Sequence, residues 1–527
     1  MNFLDNLQVD TMTIDTKLAK NYFEEHNYTF YCVVQHETKF VPISDGYNSF
    51  VINGNSLVDF DKSLPQYMDI KDNFKLSKLS KDIENNADLF GQIDYIIRHV
   101  PVEQVKKYDM SLLSRNLLYC SLNPYISNIP GKLLIHDDTP LASLGFVSQM
   151  LEKYGKALII TTAKTAAACC LFVELCRGVG LTNVYLTFVN KITDCSAADI
   201  LDISSMKGIN SGCLGVITEN ADLESALAVL LETPSQKPWK LSEILVQESV
   251  YELFKKAMEW RCGDLKSTSV ANIRSDFYTF KDKVFVMDML LCAGIDNKQE
   301  ILVNAYRTTK ELLSLVASKN LSFMSLWSND INEANEICHN EKSPNIIWVN
   351  KYGGFDGPAI SSQALYRNLL ISNTVRKSET DKVQTLLEKR QLWLKNSIDE
   401  RVHILRSIIL EQSDKDPYKY WMERLCDLSK DDLIRTNSSE TCICKRVALP
   451  VTFLNSELYD YKDFDTIGFT VIEGLVKGTA FVIDSGSNST IFNDLANQGA
   501  PVIMYEQPKA NVECSDIIDL VKVIYIS

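Results

Sequence analysis

The longest apolar runs of this 527-residue chain fall well short of a membrane-spanning helix, although 46% of its residues are hydrophobic. Met1-Asn-Phe-Leu-Asp-Asn-Leu7 lacks the basic start, apolar centre and small-residue cleavage site of a secretory signal. Its acids argue against a mitochondrial presequence, so the cytoplasm is the expected compartment. Basic excess is missing too: 54 Lys and Arg stand against 68 Asp and Glu, a net charge of −14 with no local Lys/Arg cluster. Such a chain repels a phosphate backbone, and nucleic acid is not an expected partner. There is no Cys-x-x-Cys pair among the 14 Cys. In a reducing compartment these are thiols, and Cys169, Cys170, Cys176, Cys213 and Cys292 lie in apolar runs as small buried hydrophobes. Cys442 and Cys444, with Cys426 and His403 as nearest companions, lack a matching second pair, so no metal site is expected. Finally, no Gly-x-Gly-x-x-Gly follows any strand of the α/β region, which removes the close backbone approach that a pyrophosphate needs at a helix N-terminus.

What is present is regular. Residues 1–74 alternate short apolar runs with turns, and Asn53-Gly54 between apolar residues predicts a hairpin. A helical pattern takes over from Leu76 to Leu122, with Ile83, Leu89, Ile93, Ile96 and Ile97 at helical spacing. From Pro130 strands alternate with helices: Gly131 to Ile135, Ala157 to Ile160 and Asn183 to Phe188 are predicted strands, while Ala142 to Tyr154 and Ala166 to Arg177 are predicted helices. Short connections of this kind imply right-handed crossovers and a parallel, doubly wound sheet. Further on, Ile244-Leu-Val246 hands over to an amphipathic helix through Val250, Leu253, Phe254 and Ala257. Asp222 and Glu224 place negative charge where a helix N-terminus favours it. Leu144 to Ile160 and Ile467 to Ile483 align without a gap, sharing Gly-Phe and a later Gly-x-Ala. A common helix, Gly C-cap and strand demands that pattern, and duplication explains it best.

The wording of several segments resembles aldehyde dehydrogenases. Leu245-Val-Gln-Glu-Ser-Val-Tyr251 with Gly263-Asp-Leu265 is similar to the strand and helix after that family's nucleophile. Phe50-Val-Ile-Asn-Gly54, Val216 to Leu223, Tyr306-Arg-Thr-Thr-Lys310, Trp327-Ser328 and Trp348-Val-Asn350 resemble further landmarks in the family's order. Trp393 and Asp399 to Arg406 resemble the family's first long helix again, so the chain looks like a full unit followed by a truncated second one, the arrangement of the family-16 branch. The implied fold class is α/β: a Rossmann-like doubly wound sheet with an N-terminal segment over residues 1–225, a catalytic-type α/β domain over 226–365, a linker over 366–384 and a truncated second Rossmann-like unit over 385–527.

The same resemblance locates what has gone. The family's catalytic Cys position, six residues before Ile244, is Pro238. The Glu that activates the deacylating water aligns with Gly208, the oxyanion Asn with Asp138, and the Lys on the cofactor ribose with Thr161. A carboxylate at 138 repels a developing oxyanion. The Glu-x-Phe-Gly-Pro motif reads Asp296 to Ile301, and the segment from Phe188 to Val216 is far shorter than the family's nucleotide-binding stretch. The expectation is a catalytically inactive scaffold or protein-binding module with no cofactor and no metal. The alternatives are a residual NAD(P)-dependent oxidoreductase acting on aldehydes through a relocated thiol, Cys213 or Cys292, and a non-catalytic ligand sensor. The partners left open are an unidentified protein and a second copy of the chain in a homodimer. His136 beside Asp137 and Asp138 is read as a surface pair, Ser485 to Ser489 as a solvated βα turn, and Ser429 to Asp432 as a capped helix start. The terminal strand Leu520 to Ser527 either pairs with a sheet edge of the first unit, in its own chain or a mate, or completes the second unit's own sheet.

Overall fold

The computed structural model describes residues 16–25, 70–122, 131–162, 164–188, 200–202, 212–236, 238–263, 266–270, 273–287, 299–319, 321–340, 342–355, 377–411, 434–437, 441–448, 451–454, 464–484, 490–505 and 519–526. The chain forms two compact units, one of residues 1–366 with 436–442 and 524–527, the other of residues 367–435 with 443–523. The first boundary falls where the sequence loses periodicity. Among the described residues no helix is long and apolar enough to cross a membrane.

The first unit opens with helix α1 (Lys17–Glu25), in a region where the sequence suggested only short runs and turns. Ala19, Tyr22 and Phe23 are its buried stripe, at i, i+3 and i+4. Helices α2 (Ile70–Asn85) and α3 (Ala87–Arg98) bury Leu76, Leu79, Ile83, Phe90 and Ile93 in the same way. A short helix then passes through a π-helical turn, Val105–Met110, into α4 (Ser111–Leu122). The first sheet holds β1 (Lys132–Ile135), β2 (Ala157–Thr161), β3 (Val184–Phe188) and β4 (Ile200–Asp202). Its order is β3-β2-β1-β4, every pairing parallel. The segment expected as one helix from Ala142 begins as a 3-10 turn, Leu141–Gly145, and becomes α5 (Phe146–Tyr154). Gly155, at φ 67°, closes it by donating its N–H to Leu151 O. Helix α6 (Ala166–Gly178) crosses from β2 to β3.

The second sheet is built from β5 (Cys213–Ile217), α7 (Leu223–Leu230), β6 (Leu241–Gln247), α8 (Glu248–Cys262), a β7 (Lys266–Val270), β8 (Ile273–Phe280), β9 (Lys283–Met287) meander, β10 (Gln299–Tyr306), α9 (Thr309–Lys319), β11 (Phe323–Trp327), α10 (Ile331–His339) and β12 (Ile346–Val349). Asp222 caps α7 as its charge pattern implied, accepting the N–H of Ser225 at 3.2 Å. One sequence boundary needs correcting. β5 was placed with the cofactor-type domain of residues 1–225, yet Gly215 pairs with Ile244 and Ser325, so β5 lies in the second sheet between β6 and β11. A strand followed by an acidic turn and a helix has the same local pattern in either sheet, and only its pairing partners distinguish them.

After residue 366 come α11 (Lys377–Trp393), α12 (Ile398–Glu411), β13 (Ile434–Asn437), β14 (Thr441–Ala448), β15 (Val451–Leu454), α13 (Phe464–Lys477), β16 (Ala480–Asp484), α14 (Thr490–Asn497), β17 (Val502–Tyr505) and β18 (Asp519–Ile526). Residues 377–384, expected within the 366–384 linker, are thus already helical. The second sheet reads β13-β14-β18-β12-β11-β5-β6-β10-β9-β8-β7, so the terminal strand lies beside β12, within its own chain.

The second unit has its own parallel sheet, β15-β16-β17, with α13 and α14 as crossovers, the same order of elements as β1-α5-β2-α6-β3. Its core gathers Trp393, Leu405, Ile409, Val471, Leu475, Phe481, Phe492 and Val502. Gly478 stands where Gly155 stands in the first unit, at φ 100° after the helix, with its N–H on Gly474 O. Buried Arg390 and Trp393 donate to the last carbonyls of α13, Nε to Gly478 O at 2.7 Å and Nε1 to Leu475 O at 2.8 Å. The helix dipole offsets the guanidinium there. A Cβ on Gly478 would meet the Leu394 side chain besides forcing a left-handed backbone. Gly478→Ala is therefore expected to destabilise the second unit by about 1–3 kcal/mol, read as an earlier urea transition for that unit with the first unchanged.

Candidate functional site

Pro238 is buried in the turn that leads into β6, and the residue after it dominates its surroundings. Trp239 is among the largest fully buried side chains. Its ring stacks on Tyr108 with centroids 5.4 Å apart, tilts against Phe323 at 5.0 Å and meets Phe355 edge-on at 5.7 Å. Phe323 in turn stacks on Trp348, and Trp348 on Tyr352, each at 5.6 Å. The polar atoms of this cluster are paired. Trp239 Nε1 donates to Asp109 Oδ2 at 3.3 Å, Trp348 Nε1 to Gly354 O at 2.8 Å, and Tyr352 Oη to the carbonyl of Trp239 at 2.5 Å. Aromatic rings fill the space beside Pro238.

Three consecutive residues of the π-helical turn reach this cluster or the chain beside it. Lys107 Nζ donates to Tyr352 O at 2.9 Å, Tyr108 packs on Trp239, and Asp109 takes the indole N–H. Gly353, at φ 76°, gives Tyr108 room that any Cβ would occupy. Asp109 Oδ1 also accepts the backbone N–H of Ala142 at 3.0 Å. Burial pushes its carboxyl up to about 6, against the pull of the Ala142 N–H and of Arg98.

Arg98 organises the turn after β1. Burial works against its guanidinium, but Asp94 outweighs that and holds it charged, through Nε to Oδ1 at 2.5 Å and Nη2 to Oδ2 at 2.7 Å. Nη1 donates to the carbonyls of Asp137 at 3.1 Å and Thr139 at 2.8 Å. Asp138, which the resemblance aligned with an oxyanion Asn, sits exposed in the turn so fixed. Its backbone N–H donates to His136 Nδ1 at 3.3 Å, and His136 Nε2 lies 3.8 Å from Asp202 Oδ1. The His136 side chain is only 12% exposed, while Asp138 beside it is exposed, so only part of the expected surface pair lies at the surface. Asp137 is bound by Lys164 at 2.8 Å and Thr162 at 2.9 Å.

Thr161, which the resemblance aligned with a cofactor-binding Lys, is wholly buried and shares its hydroxyl with Thr165 at 2.7 Å, while Thr165 donates to Ile135 O at 2.9 Å. Among the described residues at the carboxyl ends of β1, β2 and β4, Asp137, Asp138 and Asp202 outnumber the nearby cations Lys164 and Arg98. Such a surplus of carboxylates is unfavourable to a pyrophosphate. Cys213, one relocated-thiol candidate, is fully buried and pushed by burial up to about 12, the opposite of an activated nucleophile. Gly208, Cys292, Cys426, Asn53-Gly54, Ser485 to Ser489 and Ser429 to Asp432 lie outside the described residues. Among the described residues no group of three His, Cys, Asp or Glu could hold a metal ion.

The Pro238 turn and the 3-10 turn Leu141–Gly145 meet through Asp109, by way of Trp239 and Ala142. Arg98, Tyr108, Asp109 and Trp239 carry the site, and sequence patterning picked out none of them.

No family model matches the chain, and no curated protein does. Solved structures that it is similar to include an oxidoreductase from Marinobacter aquaeolei, at 13% identity over 56% of this chain and 80% of that one, with a TM-score of 0.42. Another is betaine aldehyde dehydrogenase from Staphylococcus aureus in complex with NAD+, at 14% identity over 56% of this chain and 78% of that one, with a TM-score of 0.40.

Proposed function

We propose that the chain is an aldehyde-dehydrogenase-superfamily protein of the family-16 type, with a truncated second copy, whose chemistry has been lost. It acts in the cytoplasm as a scaffold or protein-binding module for an unidentified protein. The observation that carries this reading is the filling of the nucleophile's surroundings: Pro238 offers no thiol, and Trp239 packs the adjoining space against Tyr108, Phe323 and Phe355. A fold whose core is kept while its reactive groups are gone is most simply kept for its surface. The fully buried Cys213 thiol weighs against the residual-oxidoreductase alternative.

Purified full-length protein is expected to show no NAD- or NADP-dependent aldehyde oxidation, and Pro238→Cys alone is expected to leave it inactive. Turnover by the wild type above a thiol-blocked control would overturn the proposal. NAD at millimolar concentration is expected to leave the melting temperature unchanged, since a ligand stabilises only through affinity for the folded state. A saturable rise would favour the ligand sensor instead.

A further inference from the structure

We draw no further inference here: the strongest candidate, the outward face of α8 on which Leu253 and Trp260 stand exposed two helical turns apart, is an apolar surface patch, and nothing in the structure shows what covers it.

Discussion

Trp239→Ala is expected to destabilise the first unit by about 3–5 kcal/mol, the range for emptying a buried Trp site. Three rings touch its indole directly, so a cavity left there is lined by Tyr108, Phe323 and Phe355, which are fixed by their own neighbours and cannot collapse into it. The substitution also strips Asp109 Oδ2 of its donor in the interior, which adds a polar penalty of about 1–3 kcal/mol. Against a typical total stability of about 5–15 kcal/mol, such a loss is enough to leave much of the first unit unfolded at moderate urea. Urea unfolding followed by circular dichroism measures it. Trp239→Phe, which keeps most of the volume, should cost clearly less, and equal costs would mean that ring packing is not what the residue supplies.

The second large effect is on stability against pH. Asp109 titrates near 6 in the folded protein and near 3.8 ordinarily, so the folded state binds this proton more tightly than the unfolded chain does. Its contribution is therefore fully present below about pH 4 and is lost as pH rises through about 6, a decrease of about 3 kcal/mol for the fully buried group. Groups such as Asp137, Asp222 and Glu400, held below their ordinary values, work in the opposite direction over acid pH. The quantity to measure is thus the difference between wild type and Asp109→Asn. The wild type should lose stability relative to the variant between pH 4 and 7, and a flat difference would show that Asp109 is not the group responsible.

Much of the fold was legible because it is written in local pattern. Short continuous apolar runs separated by helical patterns give β1, β2 and β3 with α5 and α6 between them. The gapless match of Leu144 to Ile160 with Ile467 to Ile483 placed Gly155 and Gly478 after equivalent helices, and both adopt positive φ there. Asp222 read as a helix cap is one. That Pro238 carries no thiol and Asp138 no amide needed no structure either.

Other features were decided only by which segments met. β5 has the same local signature in either sheet, and its place depended on whether β6 or the first sheet offered it an edge. The terminal strand is apolar and extended under both outcomes open to it, and only the free edge of β12 distinguished them. Tyr108 and Asp109 are consecutive, and no helical period puts neighbours on one face, so their shared contact with Trp239 was invisible to a reading by periodicity. Helix α1 is too short for its apolar spacing to stand out without the surface it covers. Hydrophobic pattern and backbone chirality act between residues a few positions apart, so the sequence alone determined the strands, helices and caps. Strand pairing, ring stacking and the burial of a single carboxylate join residues as far apart as Asp109 and Trp239, and their free energies exist only once the chain has closed on itself.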